Sequence, residues 1–172
     1  MREILFRGKT ENGIWVKGGF HKHETRQTHC CEELKPEEIK YLIIIDSLAD
    51  WNMPKNIQCV EVIPETVGMF TGLTDKNGKK VFEGDIFKFS DEIWESSYTS
   101  CGTEWDSWKV ENYAVVGFDD ERSGFDFVKY KFCENSVEAD FHENHDIEFA
   151  EFISSLEVIG NIYDNPELLK KE

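Results

Sequence analysis

The run Phe70-Thr71-Gly72-Leu73-Thr74-Asp75-Lys76-Asn77-Gly78-Lys79-Lys80-Val81-Phe82-Glu83-Gly84-Asp85-Ile86-Phe87-Lys88-Phe89 decides the architecture of the centre of the chain. Asn-Gly between two apolar segments is the strongest short-range hairpin signal. A two-residue type I′ turn needs two positive φ angles, which Asn tolerates and Gly adopts without a Cβ clash. Asn77-Gly78, flanked by Asp75, Lys76, Lys79 and Lys80, therefore predicts a tight hairpin with a solvated tip. Val81-Phe82 and Ile86-Phe87-Lys88-Phe89 carry the β-branched and aromatic bias of strands. Between them Glu83-Gly84-Asp85 predicts a sharp bend at Gly84. Short strands joined by tight turns favour a small barrel or sandwich. None of these residues carries a reaction.

The segments Met69-Phe70-Thr71-Gly72-Leu73-Thr74-Asp75-Lys76-Asn77-Gly78 and Glu83-Gly84-Asp85-Ile86 resemble the central motif of the YopX family of phage and prophage proteins. The opening Arg2-Glu3-Ile4-Leu5-Phe6-Arg7-Gly8-Lys9 resembles the start of that family. The closing Glu157-Val158-Ile159-Gly160-Asn161-Ile162-Tyr163-Asp164-Asn165-Pro166-Glu167-Leu168-Leu169 resembles its end. The likeness spans nearly the whole chain and rests on structural punctuation. It implies an SH3-type β-barrel in the C-terminal part, a phage or prophage origin in a bacterial host, and no established biochemical activity. Residues 30–51 and 90–145 match no motif of the family, so a function carried there belongs to this chain in particular.

At 172 residues the chain fits one domain or two small ones. A content of 13% aromatics supplies a packed core and argues against disorder, although mean hydropathy is low at -0.51. The longest apolar run, Tyr41-Leu42-Ile43-Ile44-Ile45, suits a buried strand and falls far short of a membrane span. No signal-peptide core follows Met1, so a cytoplasmic location is expected, with no membrane association. Cys30, Cys31, Cys59, Cys101 and Cys133 form no CxxC pair and are expected to be reduced thiols.

The net charge of -16 is uneven. Residues 1–89 hold 13 Lys+Arg against 14 Asp+Glu, a net of -1; residues 90–172 hold 6 against 21, a net of -15. Such a surface repels phosphates and anionic membranes and attracts basic proteins. A solubilising face is the plain alternative.

Along the chain, two strands around Gly8-Lys9-Thr10-Glu11-Asn12-Gly13 predict a second Asn-Gly hairpin. Pro36-Glu37-Glu38-Ile39-Lys40 predicts a short helical turn before the strand of Ile43-Ile44-Ile45. A strand over residues 57–63 is interrupted at Pro64, where the domain boundary is placed: residues 1–64 form an N-terminal hairpin region with a short helix, and residues 65–172 the barrel. Residues 91–108 are rich in Ser, Thr, Gly and acids. They predict a long acidic insertion, at about 90–110, between barrel strands. Strands over 112–118 and 124–130, an acidic loop over 134–146, a short helix over 147–156 and a strand over 157–163 follow. Asn165 is expected to cap a final helical turn that starts at Pro166.

His21, His23, His29, Cys30 and Cys31 lie close in sequence but lack the paired spacing of a zinc site. His21 and His23 share one face if their segment is a strand. Asp140, His142, Glu143, His145 and Asp146 match neither HExxH nor a two-histidine-one-carboxylate pattern. No P-loop, GxGxxG, GxSxG or SxxK occurs. The sequence thus names no catalytic, cofactor-binding or metal-binding residue, and no cofactor. Trp94, Tyr98, Trp105 and Trp108 in the insertion are the candidates for contact with a partner, because exposed aromatics anchor protein interfaces; packing against the barrel is their alternative fate.

The function expected from the sequence is that of a mainly β, non-enzymatic accessory protein, which binds a basic protein through its aromatic insertion. A nucleic-acid-related role, as direct binder or acidic mimic, is the second reading. Direct binding would need the Lys76, Lys79, Lys80 hairpin as its basic patch, and the net charge opposes it. A metal-dependent enzyme using the histidine clusters is the third. Open strand edges make a homo-oligomer plausible.

Overall fold

The computed structural model describes residues 3–26, 33–46, 56–99, 101–131 and 149–170. The expectations for His29, Cys30, Cys31, Cys133 and residues 134–146 lie outside them. The described chain is mainly β and falls into two compact units, Met1–Gly72 and Leu73–Glu172.

The first unit contains β1 (Phe6–Lys9), β2 (Trp15–Glu24), β3 (Ile39–Asp46), β4 (Ile57–Glu61) and the greater part of β5 (Gly68–Thr74). They lie in the order β4-β3-β2-β1-β5, with antiparallel pairing. One face of this sheet gathers Phe6, Phe20 and Tyr41, with ring centroids 5.3 and 6.1 Å apart, beside fully buried Ile43. On the other face the guanidinium of buried Arg7 lies 4.9 Å from the Trp15 ring, a cation–π contact. The helical turn expected at Pro36 is a single 3-10 turn, Pro36–Glu38. It ends where the β-branched run of β3 begins, because Ile43-Ile44-Ile45 packs better on a pleated sheet than in a helix. A second 3-10 turn, Pro64–Thr66, is tied to β1. Ile63 N–H donates to the Lys9 carbonyl (2.8 Å), and Lys9 N–H donates to Thr66 Oγ1 (2.9 Å).

The second unit contains β6 (Lys80–Phe82), β7 (Asp85–Thr99), β8 (Gly102–Asp119), β9 (Gly124–Lys131), the helix α1 (Phe149–Ser155) and β10 (Val158–Asn161). The four-stranded sheet has the order β10-β7-β8-β9 and is antiparallel throughout. Its core joins Val81, Phe87, Phe89, Ala114, Val116, Phe127, Ile153 and Val158. At 7 residues α1 is too short to hold itself. Its stripe Phe149, Phe152, Ile153 and then Leu156 lands on that core. Phe152 meets Phe89 and Phe149 meets Phe127, both edge-on, at 5.9 and 5.2 Å.

The described chain has the mainly β class expected from the sequence, and among the described residues no pairing closes β10-β7-β8-β9 into a barrel. Residues 91–108, expected as an insertion between strands, form no separate element. They continue β7 and β8 as one long hairpin, with Cys101 in its turn and Thr99↔Gly102 as its last pair. The register set by the buried base simply propagates, from Ile86↔Val115 to Thr99↔Gly102 without a shift.

The Asn-Gly turns also differ from the two-residue form. Gly13 and Gly78 have φ of 80 and 77°, whereas neither Asn12 nor Asn77 has a positive φ. Each loop spans three residues. Gly78 N–H donates to the Asp75 carbonyl and Asp75 N–H to the Lys79 carbonyl; Gly13 to Thr10 and Thr10 to Ile14 repeat the pattern, all at 2.8–2.9 Å. The residue that opens each loop locks it. Asp75 Oδ1 accepts from Lys79 N–H (2.9 Å), as Thr10 Oγ1 does from Ile14 N–H (3.1 Å). The terminal turn Pro166–Leu169 begins after Asn165 as expected, but the Asn165 side chain makes no capping hydrogen bond.

Candidate functional site

The β7–β8 hairpin changes character along its length. At its base Ile86, Phe87, Phe89, Val110, Asn112, Ala114, Val115 and Val116 are buried, so both faces of the ribbon are covered. Lys88 and Glu111 face each other diagonally at the root, 2.6 Å apart, and the bond to Glu111 raises the pKa of Lys88. Beyond that pair the described side chains are exposed, Trp108 and buried Val110 excepted: Glu92, residues 96–98, 101–103, 105–107 and Lys109 all face solvent. From residue 91 to 99 the ribbon extends about 30 Å at the usual strand rise.

Alternation sorts the four aromatic candidates. Tyr98 pairs with Thr103 and Trp105 with Ser96, so Tyr98 and Trp105 are diagonal neighbours on one face. Both are exposed, at 89 and 64%. Position 94 pairs with Ser107 and falls in the same alternating set; the Trp94 side chain lies outside the description. Trp108 pairs with Ile93, belongs to the opposite face and is half-buried. The structure therefore brings Tyr98 and Trp105 together and sets Trp108 apart. On the Tyr98 and Trp105 face Ser107 Oγ donates to Glu92 Oε1 (2.9 Å), and Glu92 lies opposite Lys109. The sequence reading missed Glu92 and Ser107. The signal for a ribbon was the period-two series Phe87, Phe89 and Ile93, answered by Trp108, Val110, Ala114 and Val116.

The arm is acidic as well as aromatic. Residues 91–109 hold Asp91, Glu92, Glu95, Glu104 and Asp106 against Lys109, a net of -4. The alternative lysine hairpin is less available. Lys76 pairs with Glu157 at 2.8 Å, and the bond from Lys76 lowers the pKa of Glu157. Asp75 beneath it is buried and ionised. Burial pushes its pKa up, but the N–H groups of Lys79, Val158 and Asn77, together with the Lys79 charge, outweigh that and hold it below the usual carboxylate value.

His21 and His23 share one face of β2, with ring centroids 6.0 Å apart. Their cross-strand partners are Leu42 and Lys40, an apolar group and a cation, neither of which is a metal ligand. Among the described residues no three His, Cys, Asp or Glu side chains converge to hold a metal ion. The thiols of Cys59 and Cys101 are exposed. No described helix is long and apolar enough to cross a membrane.

No curated protein matches the sequence. A family model described as YopX protein matches residues 6–170, from β1 to the last turn. The chain belongs to the YopX family.

Proposed function

We propose that this chain is a non-enzymatic accessory protein, of phage or prophage origin, that captures a basic protein on its β7–β8 arm. The observation that carries the reading is the pairing of Tyr98 and Trp105 on one exposed face of an acidic ribbon. Large aromatics held in water are the residue types that dominate binding energy once a partner covers them. The surrounding carboxylates speed encounter with a cationic partner and reject anionic ones. The same charge opposes direct nucleic-acid binding, and the Lys76–Glu157 pair reduces the lysine hairpin that would have served it.

The test is affinity capture from bacterial lysate, with and without prophage induction. The full chain is compared with a variant in which residues 92–108 are replaced by a short Asn-Gly turn. A basic protein held in stoichiometric amount by the full chain, released by salt and lost from the variant, supports the proposal. Equal capture by both forms removes the arm from the binding site.

A further inference from the structure

The two Asn-Gly loops are chemically labile as well as structural. A glycine has no side chain to shield its amide nitrogen, so that nitrogen can attack Cγ of the Asn before it. The Cγ–Nδ2 bond breaks, ammonia leaves and a succinimide ring closes. Water then opens the ring to Asp or isoaspartate; the net change is one water taken up and one ammonia released. Asn12, Gly13, Asn77 and Gly78 are all exposed. In the folded loops each attacking nitrogen is nevertheless engaged. Gly13 N–H donates to the Thr10 carbonyl (2.8 Å), and Gly78 N–H donates to the Asp75 carbonyl (2.9 Å). Reaction therefore waits on local opening of the loop.

The two loops are tied down unequally. Residues 11–14 are all exposed, Ile14 at 62%, and bonds among Thr10, Gly13 and Ile14 hold their turn. The other loop has the counterpart of each of these bonds, and its opening residue, Asp75, is buried. It is also fastened to the chain around β10. Lys76 N–H donates to the Leu156 carbonyl (2.9 Å), and Asp75 Oδ2 accepts from Val158 N–H (3.2 Å). Asn77 itself is held: its N–H donates to Asp75 Oδ1 (2.9 Å), and its side chain lies against the Glu157 carboxylate that Lys76 pairs with. Both glycines keep nearly the same φ, 80 and 77°, so the difference lies in how often each loop opens.

We propose that Asn12-Gly13 is a deamidation site of the folded protein, while the fold protects the identical dipeptide Asn77-Gly78. Charge alone would rank them the other way. Glu11 precedes Asn12, whereas Lys76, Lys79 and Lys80 surround Asn77, and a nearby cation eases loss of the amide proton that makes the nitrogen a nucleophile. Isoaspartate at position 12 adds a methylene to the backbone of a loop whose length sets the register from Phe6↔Gly18 to Lys9↔Trp15. The β1–β2 hairpin is thus the part of the chain that ages first by this chemistry.

The full chain is incubated at neutral pH, and peptide mapping by mass spectrometry follows Asp and isoaspartate at positions 12 and 77. Position 12 should convert about tenfold faster or more, the effect of one or two additional hydrogen bonds on opening. In concentrated urea, where both loops are open, that order should vanish or invert. Asp75→Ala should speed conversion at position 77 by about tenfold while position 12 keeps its rate. If both positions accelerate together in that variant, it has unfolded, and the native-to-urea comparison of the wild type decides. Equal rates in the native protein, faster conversion at position 77, or conversion at position 12 only after unfolding overturns the proposal. An order that persists unchanged in urea would assign the difference to sequence and overturn protection by the fold.

Discussion

The base and the outer part of the β7–β8 hairpin share one register and one backbone geometry, yet they answer to different physics. At the base Phe87 and Phe89 meet Phe127 and Phe152 edge-on, both at 5.9 Å, and every apolar side chain is covered. In the outer part Tyr98 and Trp105 stand in water. Regular pairing alone thus makes a strand without making a core. Burial fixes the fold at one end, while at the other the same ladder holds side chains ready for something outside the chain.

The strongest way to break this contrast is to empty the base. Phe87 is fully buried, so Phe87→Ala should destabilise the protein by about 3–5 kcal/mol, from lost transfer energy and the cavity left behind. Urea unfolding followed by tryptophan fluorescence reads the effect; a loss below about 1 kcal/mol would mean that the base collapses freely. Next comes the anchor that ties the Asn77-Gly78 loop to β10. Asp75 Oδ2 accepts from Val158 N–H (3.2 Å), while Oδ1 takes Asn77 and Lys79. Asp75→Ala should cost about 1–3 kcal/mol, because buried N–H groups lose their acceptor. The sign with pH follows from the depressed pKa. Its stabilisation is complete above the unfolded value, near pH 4, and fades as pH falls through the lower folded value. The stability gap between wild type and Asp75→Asn should therefore narrow in acid; a gap that stays constant to low pH would show that the Asp75 charge contributes nothing.

Much of the framework was legible. The chain announces both Asn-Gly hairpins, the turn at Pro36, the strand after Gly124 and the helix ending near Leu156, because each has a breaker or an apolar period. The arm was not legible as strand. A ribbon exposed on both faces needs no apolar side, so Glu95-Ser96-Ser97 and Glu104-Trp105-Asp106-Ser107 look like a polar loop. Only its continuity with the buried base reveals it. The turn geometry was hidden for a different reason: Asn-Gly fixes where a hairpin turns, but the residue two before the Asn, Thr10 or Asp75, selects the three-residue loop by accepting the far N–H. As for the candidate site, the sequence supplied its residue types, and the strand register separated Trp108 from Tyr98 and Trp105.

Gly78 and Gly13 offer a smaller effect and a finer comparison. Both hold a left-handed φ at the same place in the same loop. Each Gly→Ala change should cost about 1–2 kcal/mol from the Cβ clash. Measured one at a time by urea unfolding, the two losses should agree within about 0.5 kcal/mol. A much larger loss at Gly78 would mean that the Asp75 anchor stiffens its loop beyond what Thr10 does for the other.

The smallest expected change in stability is the one that matters most for the outer arm. Trp105 is largely exposed and its cross-strand partner is Ser96, so Trp105→Ala should alter unfolding by no more than about 0.5 kcal/mol. Binding should behave oppositely: removing an aromatic anchor that a partner covers typically weakens a complex by about 2 kcal/mol or more. Asp106→Lys, on the other face, should change association rate and salt dependence more than dissociation. A Trp105→Ala protein that unfolds like wild type yet loses its partner would separate the two ends of the hairpin in function as they are separated in burial. A variant that loses stability to the same extent as Phe87→Ala would show instead that the outer ribbon is part of the core, and the contrast between the two ends would fall.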